Sequence, residues 1–202
     1  MPVTAVPSFP LPLIVCFGDS LTAGFQSPTP DRPDVLETPY GSYLGNRLRG
    51  RARVHVNGVC GELAAEMVRR FERDVLSHKP AWVVILGGTN DLGWDGRPSE
   101  IMRHLVAMYE RATASGVRPV AVTVPSIRGF DAHIPRRLEL NRLISAYCDD
   151  HALPCVDLFA ATAEPVSGRL AESYSNDGLH LTTAGYELLA QLLHEQVFKG
   201  LK

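Results

Sequence analysis

The stretch LPLIVCFGDSLTAG, residues 11–24, decides the fold. Its first half is a short, unbroken apolar run after a proline, the pattern of a strand covered on both faces. Its second half turns small and polar at once, so a hydroxyl and a carboxylate collect where the strand ends. Four further runs repeat the first half: RVHVNGV (53–59), AWVVILGG (81–88), VRPVAVTVP (117–125) and LPCVDLF (153–159). Helical patterns separate them. Residues 40–50 end in a glycine suited to a helix stop. Residues 61–78 space Leu63, Met67, Val68, Phe71 and Val75 along one face. Residues 98–116 open on Pro-Ser and close on Gly116. Residues 136–151 and 182–199 follow, the latter with Thr182 or Thr183 as N-cap. This alternation predicts an α/β protein with five parallel strands and helices on both faces. Right-handed crossovers narrow it to a three-layer α/β/α, flavodoxin-like sandwich. One domain is expected over 1–202, with 1–10 as an N-terminal extension. Residues 25–39 and 125–135 are expected to be irregular.

Composition agrees with an ordinary globular chain: 202 residues, 45% apolar, 21% charged. A core of that size needs no disulfide or metal to hold it. The net charge of −2 draws neither nucleic acid nor an anionic membrane surface. Cys16, Cys60, Cys148 and Cys155 form no CxxC pair, so neither a zinc ribbon nor a redox motif is expected. The first residues carry no basic charge before their apolar run, and prolines interrupt it, which makes a poor signal peptide. No stretch approaches the length of a membrane span. The expectation is a cytoplasmic protein without membrane insertion, with export of a trimmed precursor left open.

In open parallel sheets, ligands bind beyond the carboxyl ends of the strands. There stand Gly18-Asp19-Ser20, then Gly58-Val59-Cys60-Gly61-Glu62, then Gly87-Gly88-Thr89-Asn90-Asp91, and, before the last helix, Asp177-Gly178-Leu179-His180. That inventory suits acyl transfer. A serine hydroxyl needs a base to take its proton, and His180 titrates in the right range to be one. Asp177, three residues earlier, can accept the ring's other N–H and set its tautomer. The Ser20 and Gly61 N–H groups, each expected at a helix start, and the Asn90 amide are donors for an oxyanion.

FGDSLTAG resembles the first block of the SGNH, or GDSL, hydrolases. VNGVCGE is similar to their second block, with Gly61 at the glycine. GGTND resembles the third, with Asn90 at the asparagine, and DGLHLTTAGY the last, with Asp177 and His180. The blocks fall in the family's order and span residues 17–186. The resemblance implies a flavodoxin-like fold and a serine esterase or related acyl hydrolase that uses no cofactor and acts on a small-molecule ester. Acyltransferase, carbohydrate deacetylase, lysophospholipase and thioesterase chemistry would use the same residues. A binding module of the same fold without turnover is the alternative from another class.

Blander roles stand beside these. Ser20 could simply cap a helix, Asn90 hold its own turn, and Gly61 serve backbone conformation. Asp19 and Asp91 are expected to bond loop N–H groups or cap helices rather than react. Arg128, Arg136 and Arg137 read as a solvated face, and His133 as a residue that could line the site. No zinc-like spacing, G-x-S-x-G elbow, G-x-G-x-x-G fingerprint or phosphate loop occurs. The apolar residues of 25–39 and 125–135 are scattered, which predicts a preference for short acyl chains over long ones.

Overall fold

The computed structural model describes residues 10–201. Of the expected extension, all but Pro10 lies outside the described residues. The opening run forms β1 (Leu13–Gly18), and a short helix α1 (Ser20–Ala23) follows it directly. A small hairpin, β2 (Phe25–Gln26) with β3 (Leu36–Glu37), precedes α2 (Tyr40–Arg47). Next come β4 (Arg53–Gly58), α3 (Ala64–Asp74), β5 (Trp82–Leu86), α4 (Thr89–Gly93) and α5 (Pro98–Ala114). The chain ends with β6 (Arg118–Val122), α6 (Ile134–His151), β7 (Cys155–Val156), α7 (Leu158–Thr162) and α8 (Thr183–Leu193).

The main sheet runs β4-β1-β5-β6-β7, every pair parallel. Numbered by their own sequence order these strands read 2-1-3-4-5, the flavodoxin-like arrangement, and the order reverses between β1 and β5. Both faces of β1 are buried because the pleat alternates them. Val15 and Phe17 pack with Met67, Phe71 and Leu105 on one side, while Ile14 and Cys16 pack with Tyr40, Leu44 and Tyr186 on the other. That is why the run carries no polar residue. No helix among the described residues is long and apolar enough to cross a membrane. All four cysteines are free thiols.

Three differences from the sequence expectations have local causes. The strand expected over 153–159 pairs only at Cys155 and Val156. Asp157 ends it by accepting the Ala160 N–H at 3.0 Å, which caps α7. Residues 25–39 are not wholly irregular, for Phe25 and Gln26 pair with Glu37 and Leu36, and three of the prolines fall in the connecting loop. The helix expected over 61–78 starts at Ala64 and closes in a 3₁₀ turn at Leu76–His78.

Candidate active site

The close approach of α1 to the sheet fixes the first part of the site. A Cβ on Gly58 would lie 2.2 Å from the Ala23 nitrogen, so only glycine lets the end of β4 pass under α1. Asp19 caps α1 by accepting the Leu21 N–H at 2.9 Å, the structural role expected of it. Ser20 is thereby held as the first residue of the helix, at the switch point between β1 and β5. Its Oγ lies 3.2 Å from His180 Nε2. On the other side of the ring, Nδ1 donates to Asp177 Oδ2 at 2.8 Å. The structure thus joins Ser20, His180 and Asp177 in one hydrogen-bonded chain, although 157 residues of sequence separate the first from the last.

Asp177 is heavily engaged. Its Oδ1 accepts the backbone N–H groups of Leu179 and His180, each at 2.8 Å. Its Oδ2 accepts the Ser27 hydroxyl at 2.5 Å as well as the imidazole. Burial would push the carboxyl up, but these donors outweigh it and hold Asp177 well below the usual carboxylate range. The Phe25 ring packs on the His180 ring, centroids 4.6 Å apart. Phe25 and Ser27 both come from the hairpin segment, and no motif in the sequence marks either of them.

The candidate oxyanion donors lie on the opposite side. Asn90, in the first turn of α4, gives one N–H to Glu62 O at 2.9 Å, which orients the amide because a carbonyl only accepts. Its Nδ2 is also 3.5 Å from Asp19 Oδ2. Asp91 Oδ2 accepts the Ala64 N–H at 3.0 Å and ties α4 to the start of α3. Gly61 is not at a helix start, as expected, but in the turn before α3. Its φ is +77°, in the left-handed region that glycine tolerates, so the backbone reading of this residue holds. Under the turn, the Arg70 guanidinium is wrapped by the Glu62 carboxylate, by Asn57 and by the Gly18 carbonyl, and it stacks on Phe17. Arg70 and Glu62 are buried, at 8% and 7% exposure, so their charges are compensated by each other rather than by water.

A cavity of about 430 Å³ opens beside Asn90 and Asp177. Trp94, Ile127, Phe130 and Leu179 give it apolar walls, and His133 lines it. The 125–135 segment contributes as expected, whereas 25–39 does not line this cavity and instead packs on the Asp177–His180 pair. The expectation for the arginines needs correction. Arg137 is 1% exposed, its Nη1 donating to Pro125 O at 2.9 Å in the cavity wall, because it falls on the same inward stripe of α6 as Leu140, Asn141 and Ile144. Burial brings its guanidinium down to about 10. Arg128 pairs with Glu164 and Glu172, and Arg136 with Asp95. Among the described residues no group of three or more His, Cys, Asp or Glu side chains is placed to hold a metal ion.

The chain is 30% identical to YqeF, an uncharacterized lipoprotein of Bacillus subtilis, over 59% of this chain and 51% of that protein. It therefore spans about half the length of that relative. It is 24% identical to an acetylxylan esterase of Geobacillus stearothermophilus, over 91% of this chain and 93% of that one. Among solved structures it is similar to a lipase/acylhydrolase from Enterococcus faecalis, with a TM-score of 0.77 and 26% identity over 95% of this chain and 98% of that one. Residues 16–188, which hold every strand end and loop just described, match one family pattern throughout, and the chain belongs to the GDSL-like lipase/acylhydrolase family.

Proposed function

We propose that the protein is a serine esterase that hydrolyses carboxylic esters with short acyl groups. The observation that carries this reading is the chain from Ser20 Oγ through His180 to Asp177 Oδ2, at 3.2 and 2.8 Å. His180 Nε2 takes the Ser20 proton as Oγ attacks the ester carbonyl. Asp177 holds the proton on Nδ1, leaving Nε2 as the acceptor, and stabilises the imidazolium that forms. Ser20 N–H, Gly61 N–H and the Asn90 amide receive the developing oxyanion. His180 then gives its proton to the leaving alcohol. Water, activated by the same imidazole, hydrolyses the acyl-enzyme. None of these steps calls on a metal or cofactor.

The acyl preference rests on the cavity walls, where Arg128, His133 and Arg137 interrupt the apolar residues. A long chain gains about 0.8 kcal/mol per buried methylene only along a continuous apolar surface. On a p-nitrophenyl ester series, kcat/KM should peak between acetyl and hexanoyl. A maximum at decanoyl or longer overturns the acyl-length assignment. A fluorophosphonate should leave one adduct, on Ser20, and Ser20→Ala should lower kcat by roughly 10⁴-fold or more. Activity retained by a folded Ser20→Ala protein overturns the reading.

A second reading, deacetylation of carbohydrate esters, is favoured by one feature of the cavity. Trp94 and Phe130 line it while remaining 81% and 68% exposed, flat apolar faces of the kind that sugar rings stack on. The relative named as an acetylxylan esterase points the same way. Acetylated oligosaccharides compared with p-nitrophenyl acetate separate the two: a kcat/KM advantage for the sugar that Trp94→Ala removes supports deacetylation, and no advantage excludes it.

A further inference from the structure

We infer that Ser27 is a positioning residue that sets the basicity of His180 through Asp177, making the 25–37 hairpin a working part of the site. The inference rests on the proposed roles of Ser20, His180 and Asp177 and extends them to a residue outside every recognised block. Ser27 Oγ and His180 Nδ1 both donate to one oxygen, Asp177 Oδ2, at 2.5 and 2.8 Å. Two donors on one oxygen divide its charge. The hydroxyl therefore withholds part of the carboxylate from the imidazole and limits how far the imidazolium is favoured over the neutral base.

The hydroxyl is held in place by its own segment. The Ser27 carbonyl accepts Arg32 Nη2 at 3.1 Å, and Thr29 and Arg32 close the loop with paired backbone bonds. At its base, Gln26 Nε2 donates to Thr38 and to Thr183 at the start of α8. Tyr186 from α8 donates to Phe25 O at 2.8 Å, which seats the Phe25 ring on His180. The hairpin thus touches the base twice, by a ring on its face and by a hydroxyl on its partner.

Other charged and titratable groups surround the pair. Asp19 lies beneath Ser20 and interacts with His180. Tyr186 on α8 interacts with Asp177 and Asp19, and Cys60, in the turn before α3, interacts with Asp19 and Glu37. Arg32 stands on the hairpin. Arg128, whose N–H donates to Gly178 O at 2.9 Å, lines the same cavity as Asp177, as do His133 and Arg137. None of them donates to Asp177 Oδ2 among the described residues, and Ser27 is the only partner of that oxygen besides the imidazole.

The sign of the effect follows. Removing the hydroxyl returns the full charge of Oδ2 to the Nδ1–H bond, which favours the imidazolium. The His180 pKa should rise, and less neutral base should remain at a given pH. The test is a side-chain NMR titration of His180 in wild type, Ser27→Ala and Ser27→Thr, read without any substrate. Ser27→Ala should move the midpoint up by roughly half a unit to one unit. Ser27→Thr, which keeps a hydroxyl, should restore it. The acid limb of kcat/KM should shift by the same amount, so that kcat/KM falls roughly three- to tenfold at pH values well below the midpoint and less than that at neutral pH.

An unmoved or lowered His180 midpoint in folded Ser27→Ala overturns the inference, as does a Ser27→Thr protein that behaves like the alanine variant. A purely structural role would lower Tm and leave the midpoint unchanged. If the wild type shows no Ser20-dependent hydrolysis, the esterase reading fails while the titration still decides the Ser27 question.

Discussion

The two halves of the site are held by different physics. The half that carries Ser20, Gly61 and Asn90 sits on strand ends and rests on buried charge. Asp19 is completely buried, and the Arg70–Glu62 ion pair lies under the turn that orients Asn90. The half that carries Asp177 and His180 sits on a loop before α8, partly open to water, and is held by hydroxyls and a ring: Ser27, Ser175 and Phe25. Buried ion pairs fix geometry at the cost of stability when one partner is lost. Neutral donors around a half-exposed carboxylate tune basicity and leave the fold largely alone. Damage to the buried charges of the first half should therefore register in both stability and rate, and damage to the second in rate and pH profile.

Asp177→Asn tests that division most severely. It keeps the shape of the loop but removes the acceptor that fixes the His180 tautomer, so kcat should fall by up to roughly 10⁴-fold. The unfolding midpoint should move little, and a variant that unfolds instead would place Asp177 among the structural residues. Arg70→Met probes the other half. It strands the Glu62 carboxylate in the core, which should cost about 3–5 kcal/mol, measured by denaturant unfolding. A loss under about 1 kcal/mol, the range of exposed pairs, would show that the pair is hydrated.

Asn90→Ala sharpens the comparison because it touches the rigid half without disturbing its buried charge. It should lower kcat by roughly 10²–10³-fold with little change in Tm. Wild-type kcat in a folded Asn90→Ala protein removes the amide from the mechanism.

The same comparison extends to pH. Burial pushes the Asp19 carboxyl up to about 7 from its ordinary 3.8. Folding then takes up a proton between those values, and the contribution of Asp19 to stability falls as pH rises from about 4 to about 7. Asp177 acts in the opposite sense. Its carboxyl is held low, so its contribution is present above the ordinary carboxylate range and is lost as pH falls. Asp19→Asn should gain stability relative to wild type as pH rises from about 4 to about 7, and the gap should then level off. Urea midpoints across that range give the measurement. A gap that does not change with pH would mean that Asp19 is ionised throughout in the folded protein.

Legibility followed the same division. The strand ends were legible because apolar runs stop abruptly at Gly18, Gly58 and Gly87, and the candidate site residues come next in the chain. Asp19 and Asp91 were legible as supports because short acidic side chains beside turns bond nearby N–H groups, and they do so to Leu21 and Ala64. Ser27 and Phe25 were not. Their contacts cross 150 and 155 residues of sequence, and neither residue type is unusual in a loop. Arg137 was misread because an arginine at the start of a polar helix normally faces water. Here the helix begins at Ile134, and the guanidinium points at a carbonyl in the cavity wall.

The sequence by itself determined the layers, the parallel sheet and which side chains follow the strand ends. Those features are written in local signals: the length and composition of apolar runs, helix periodicity, and the side chains that follow each strand. Only the tertiary structure decided how the His180 ring is held, which loop lines the cavity, and which charges are buried together. Arg70 and Glu62 lie eight residues apart, yet they close under the Gly61 turn at 7–8% exposure. The hairpin carries too few apolar residues to advertise a packed role, and it gains one because α8 brings Thr183 and Tyr186 against it. Local propensity sets what each segment becomes; desolvation and long-range hydrogen bonding, which no window of sequence contains, set what each segment touches.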